Sequence, residues 1–185
     1  MMKKITLLFA LLTLSLGYSQ TDIAVNGGFE SSDFTGWTQF ISGTQSVITT
    51  NPSVGTYCAE LNNNVPAAAS GIKNANVGIG TAVAGQEVTI TLDARGTTAA
   101  GGVAFVKIIS ELDGGGVSKD QLFGPLTLNA DPNVWTSFSF VSILGSDVSG
   151  GVTLELTATT GGDAASLAHV FYDNVKLTLT DAGPT

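Results

Sequence analysis

Residues 86–96 read QEVTITLDARG, and their alternation decides the fold class. Val88, Ile90, Leu92 and Ala94 fall on one side of an extended chain, while Thr89, Thr91, Asp93 and Arg95 fall on the other. A helix would scatter these apolar positions around its axis. A half-buried strand gathers them on one face. GVTLELTATT (151–160) repeats the pattern, with Val152, Leu154, Leu156 and Ala158 opposite Thr153, Glu155, Thr157 and Thr159. VWTSFSFVSIL (134–144) and AHVFYDNVKLTLT (168–180) are rich in β-branched and aromatic residues. GVAFVKIISEL (102–112) is apolar on both faces up to Lys107, as a central strand would be. Clusters of Gly, Asp, Asn and Pro separate the runs, and Asp113-Gly114 suits a hairpin turn. No segment carries sustained helical periodicity with caps. Many evenly spaced strands in one domain predict an all-β antiparallel β-sandwich, a jelly roll.

The first 19 residues read as a signal peptide. Lys3 and Lys4 precede an apolar run from Ile5 to Leu16, and the small residues Gly17 and Ser19 suit a signal peptidase. The run is too short to cross a bilayer comfortably, so export without later membrane insertion is expected, to an extracellular or cell-surface location. Residues 20–180 are expected to form a single module, with 181–185 a short tail. Loss of Lys3 and Lys4 takes the formal charge from −8 to −10. Such a surface disfavours nucleic acid and anionic lipid, and suits neutral ligands or cations.

Enzyme chemistry finds little support. Cys58 and His169 are the chain's one cysteine and one histidine, too few for an ordinary zinc site. Cys58 alternates with polar neighbours and reads as a buried thiol, and intermolecular pairing is the alternative. His169 reads as a strand-edge residue, and no serine sits in a nucleophile elbow. GIGTAVAG (78–85) has a strand after it where a dinucleotide loop needs a helix. Asp93 and Glu155 could approach on neighbouring strands as a hydrolase pair, yet Arg95 would keep both ionised. A non-catalytic protein is expected.

Four fragments in order carry a family resemblance. NGGFES (26–31) is followed by TGW (35–37); GQEVTITLDARG (85–96), VWTSFSF (134–140) and VFYDNVKLTL (170–179) come later. This order resembles carbohydrate-binding modules of the family 4/9/22 type, which are galactose-binding-like β-sandwiches. The resemblance implies a structural calcium joining the two ends of the sandwich, on Glu30, Asp173 and the carbonyl of Gly28. Oxygens near Ser53 and Thr56 would assist. The alternative is that Glu30 and Asp173 cap turns by hydrogen bonding. Phe29 and Trp37 are expected to anchor the core near this corner, and the resemblance implies packing positions for Trp37 and Trp135, with a sugar-stacking platform as the alternative for the two tryptophans.

A sugar ligand would use the polar side of a sheet, by stacking and by hydrogen bonds to planar side chains. Arg95, Asp93, Glu155, Lys107 and Tyr172 are the expected ligand residues, with Phe40 and Phe123 as further stacking candidates. Arg95 could equally pair with Asp93 or Glu155. The expected partner is an extracellular polysaccharide or glycan. The competing expectation is a secreted structural or adhesion subunit that uses the sandwich for protein contacts or self-association.

Overall fold

The computed structural model describes residues 20–180, so the expected signal and tail lie outside the described residues. The described chain is all β. Its strands are β1 (Thr21–Asp22), β2 (Thr38–Ile41), β3 (Thr44–Ile48), β4 (Cys58–Asn63), β5 (Ala69–Val77) and β6 (Glu87–Ala99). They continue with β7 (Val103–Glu111), β8 (Val117–Phe123), β9 (Thr136–Ile143), β10 (Gly151–Thr159) and β11 (Leu167–Leu179). One sheet runs β3-β4-β11-β6-β9, with β1 also on β11; the other runs β2-β5-β10-β7-β8. Every pairing is antiparallel, giving the expected jelly-roll sandwich.

The apolar side of β6 forms the core as the alternation requires. Val88, Ile90, Leu92 and Ala94 are buried against Leu154, Leu156 and Ala158 of β10 and Val106 of β7. Side chains of this size each stabilise by about 1.5–3 kcal/mol when fully buried. β7 lies inside its sheet, between β10 and β8, and the turn around Asp113-Gly114 joins it to β8.

Two buried asparagines fix loops to this core. Asn74 on β5 accepts from the Val25 amide (2.9 Å) and donates to the carbonyls of Val25 (3.0 Å) and Gly36 (2.7 Å). Asn63 donates to the carbonyls of Ala68 (3.1 Å) and Ala158 (2.9 Å). A fully satisfied buried amide specifies one arrangement, because every alternative leaves a polar atom unpaired.

The NGGFESSDFTGW stretch is a folded corner. Asn26 adopts a positive φ of 51°, and its side chain donates to Ser31 Oγ and to the carbonyls of Asp33 and Thr35. Trp37 donates through Nε1 to the Asn26 carbonyl (3.1 Å) and packs 5.4 Å from Phe29, both rings buried as expected. Val175 donates to the Gly27 carbonyl (2.9 Å), and a β-carbon on Gly27 would lie 1.9 Å from the Val175 oxygen. Glycine is required by this close approach, and the first and last segments are thereby paired.

Candidate functional site

β6 carries Arg95 outward, opposite Ala94, as the alternation predicts. On that outer face the register sets Ser46, Glu60, Phe171 and Arg95 in one row across β3, β4, β11 and β6. The next row holds Thr44, Asn62, His169 and Thr97. β9 begins at Thr136, opposite Ala94, so β6 runs past it and leaves residues 95–99 without a ladder partner on that side. Loop segments fill this space and raise walls over the sheet.

Arg95 ties those walls together. It is 4% exposed, although it points away from the core. Its Nη2 donates to the Thr50 carbonyl (2.8 Å) and its Nη1 to the Pro132 carbonyl (3.4 Å). The guanidinium carbon sits 3.7 Å from the Phe171 ring centre and 5.0 Å from that of Trp135. Trp135 donates through Nε1 to the Asn51 carbonyl (3.0 Å), and Asn51 donates to the Asn133 carbonyl (2.9 Å). Among the described residues no carboxylate pairs with Arg95, so neither ion pair weighed from the sequence forms. Its Nε is buried without a hydrogen-bond partner.

Beside this roof opens a cleft of about 430 Å³. Ile48 and Glu60 lie on one side, Phe171 and His169 on the floor, and Arg95, Thr97, Pro132 and Asn133 on the other side. His169 Nε2 lies 2.7 Å from Glu60 Oε1, and Ser46 donates to Glu60 Oε2 (2.9 Å). The imidazole also packs against Phe171, with ring centres 4.7 Å apart. The cleft therefore offers the apolar side chains of Ile48 and Pro132, a carboxylate, an imidazole and amide and hydroxyl groups, while Phe171 is 8% exposed beneath the Arg95 guanidinium. That combination suits a polyhydroxylated ligand with both apolar faces and hydroxyl edges.

The expected ligand residues do not share one surface. Asp93 is buried behind the cleft, accepting from Ser53 Oγ (2.5 Å), Ser137 Oγ (2.5 Å) and Asn174 Nδ2 (3.2 Å). It holds a loop and is closed to ligand. Tyr172 is fully buried, with its hydroxyl donating across the core to the Thr157 carbonyl (2.9 Å), so it offers no stacking surface. Its position follows from parity, since Phe171 faces out and the next residue must face in. Glu155 and Lys107 are cross-strand neighbours on the outer face of the other sheet, where Lys107 pairs with Asp120 at 2.7 Å. Asp93 and Glu155 therefore lie in different sheets and are not neighbours. Phe40 is on that second face, stacked over Gly71, while Phe123 packs 4.8 Å from Phe140 against the core.

Three further residues take places the sequence reading did not give them. Trp135 is half-buried over Arg95, not in the core. His169 lies on β11, a central strand, and Phe171 forms the cleft floor. Cys58 is free and buried, as expected, and burial pushes its thiol up to about 11.

At the corner, Glu30 and Asp173 grip the same loop. Glu30 Oε1 accepts from the amides of Thr56 (2.9 Å) and Tyr57 (3.0 Å). Asp173 Oδ2 accepts from the amides of Ser53 (2.8 Å) and Val54 (3.0 Å), and its Oδ1 from Asn174 (2.7 Å). The loop thus presents N–H groups here, where the calcium expectation needs oxygens. With two lone pairs per oxygen, the described partners leave Glu30 Oε2 and one lone pair of Asp173 Oδ1. Calcium takes roughly six to eight oxygen ligands, so these two carboxylates alone fall well short of a site. Among the described residues no group of three or more His, Cys, Asp or Glu side chains is placed to hold a metal.

No family model matches the chain, and no curated protein matches it. Solved structures do. The enzymatically active domain of bacteriophage CBA120 tailspike protein 4 matches at 14% identity with a TM-score of 0.65, over 85% of this chain and 21% of that one. The chain thus spans about a fifth of that tailspike domain. A family 16 carbohydrate-binding module matches at 17% identity and TM-score 0.60, over 84% of this chain and 98% of that module. A Stig cyclase from Fischerella sp. TAU matches at 17% identity and TM-score 0.63, over 89% of this chain and all of the cyclase (100%). Modules of families 22 and 61 share the fold as well. At these identities the likeness is one of fold, and this fold serves both binding modules and enzymes.

Proposed function

We propose that this protein is a secreted, non-catalytic carbohydrate-binding module that takes a polysaccharide or glycan in the outer-face cleft. The observation that carries the reading is the built wall of that cleft. Arg95 is locked between Phe171 and Trp135 and joins two loops beside a cleft that presents an imidazole, a carboxylate, and hydroxyl and amide groups. The resemblance of four sequence fragments to family 4/9/22 modules and the shared fold of families 16, 22 and 61 support the same reading. Here His169, Glu60 and Asn133 contact the sugar, while Arg95 and the Phe171 ring beneath it position the walls. A calcium ion on Gly28, Glu30 and Asp173 is a separable part of the proposal, and it would have to replace N–H partners of those carboxylates.

The test is native electrophoresis through gels containing soluble neutral and acidic polysaccharides. Retardation of the wild type that is lost in His169→Ala and Asn133→Ala supports the reading. Free migration on the whole panel overturns it and favours the structural or adhesion alternative.

A further inference from the structure

The cleft does not end at Thr97. A second depression of about 350 Å³ lies along the unpaired end of β6, and Gly96 and Thr97 line both. Its other residues include Thr98 on β6, with Thr127, Leu128 and Asn129 on the loop after β8. The feature arises because β9 starts at Thr136, opposite Ala94, so the loop replaces a strand beside β6. Gly96 is buried against β11 where the two depressions meet, and glycine there lets the two strands approach. A β-carbon there would strike the His169 carbonyl at 2.1 Å, and its φ of +140° is one that side-chain-bearing residues avoid. Thr97 is exposed at the junction.

The two depressions differ in chemistry. The first holds Arg95, Glu60 and His169, with the carboxylate already facing the imidazole. The second has no charged residue in its lining, which is made of hydroxyl, amide and aliphatic side chains. A uronate or sulfate there would meet no cation, whereas neutral sugar hydroxyls meet matching groups. The first depression alone crosses from β3 to β6, about 14 Å at roughly 4.8 Å per strand step, and the second lengthens the track.

We infer that the two depressions form one trough that binds an uncharged glycan chain along its length, with the β6 edge and residues 126–130 supplying a distal subsite. This rests on the carbohydrate-binding reading. Calorimetric titration with neutral xylo-, cello-, manno- and galacto-oligosaccharide ladders, from disaccharide to hexasaccharide, tests it. Affinity for the recognised ladder is expected to rise at least about tenfold with length. Thr127→Trp, which fills only the distal depression, is expected to abolish that gain and leave disaccharide affinity unchanged. Affinity that is flat beyond the disaccharide, or a length gain that survives Thr127→Trp, overturns the distal subsite and leaves the first cleft standing. Tighter binding of polygalacturonate than of any neutral polymer overturns the uncharged class. Absence of binding to every probe overturns the trough together with the carbohydrate reading.

Discussion

The Arg95 guanidinium lies 3.7 Å from the centre of the Phe171 ring, one strand away on the same face. That contact is desolvated, and the same cation donates to two loop carbonyls. Arg95→Ala should lower the unfolding free energy by about 2–4 kcal/mol, combining a buried cation–π contact with charge-assisted hydrogen bonds. Urea denaturation reads this directly. Polysaccharide retardation should vanish in the same variant, because the Thr50 and Pro132 walls lose their tie. Arg95→Lys should restore neither property fully, since an ammonium cannot fork to two carbonyls while stacked between rings.

Tyr172→Phe provides the opposite case. It removes one hydroxyl donor from the core and leaves the ring in place. A cost of about 1 kcal/mol is expected in denaturant. Glycan retardation should match the wild type, and a loss of binding at unchanged stability would show that the residue reaches the ligand.

Asp173 gives a signed pH dependence. Burial pushes its carboxyl above the ordinary value; amides of Val54, Asn174 and Ser53 pull it down, and Asp93 pushes it further up. The folded protein therefore holds this proton more tightly than the unfolded chain does. The resulting stabilisation is present below the unfolded carboxylate range and is lost as pH rises through the raised folded value. Asp33, Asp120 and Asp147 run the other way, held low by hydrogen bonds to Thr35, Lys107 and Ser149, and their contribution fades as pH falls. Comparing wild type with Asp173→Asn, both in chelator so that no cation sits on the carboxylate, cancels those groups. The wild type's stability relative to the variant should grow between about pH 7 and about pH 4. A constant difference, or one of opposite sign, would contradict this account of Asp173.

The calcium proposal predicts a fall in Tm on chelation, since an ion that binds only the folded state stabilises by mass action. Glu30→Gln should remove that fall, because it deletes a proposed ligand. An unchanged Tm in the wild type rejects the ion and leaves the amides of Ser53, Val54, Thr56 and Tyr57 as the closure.

Strand parity made the fold legible. Val88 to Ala94 and Val152 to Ala158 reveal their buried faces by alternation alone, whereas the joining of the two ends was expected through Glu30 and Asp173 and the contact of Gly27 with Val175 was not read. The site was only partly legible. Parity gives the outward direction of Arg95, yet the loops that bury it come from far away in sequence, so a polar face did not mean a wet one. The same parity, applied to VFYDNV, separates Phe171 from Tyr172 and would have placed the tyrosine in the core. Nothing local distinguishes the sheet of Asp93 from that of Glu155, because sheet membership is set by crossovers between distant strands. Trp135 was expected in the core, because a tryptophan beside a strand start looks the same whether it packs inward or folds over a neighbour.

Because β9 stops short of the end of β6, a surface loop occupies a place where most of the sheet has a strand. Exchanges at the exposed positions Thr127, Asn129 and Ala130 would therefore remodel this surface without touching Leu126 in the core or the Pro132 and Trp135 contacts of Arg95. The architecture keeps these exposed positions apart from the ones that hold the fold, so this surface can vary in chemistry while the sandwich stays as it is.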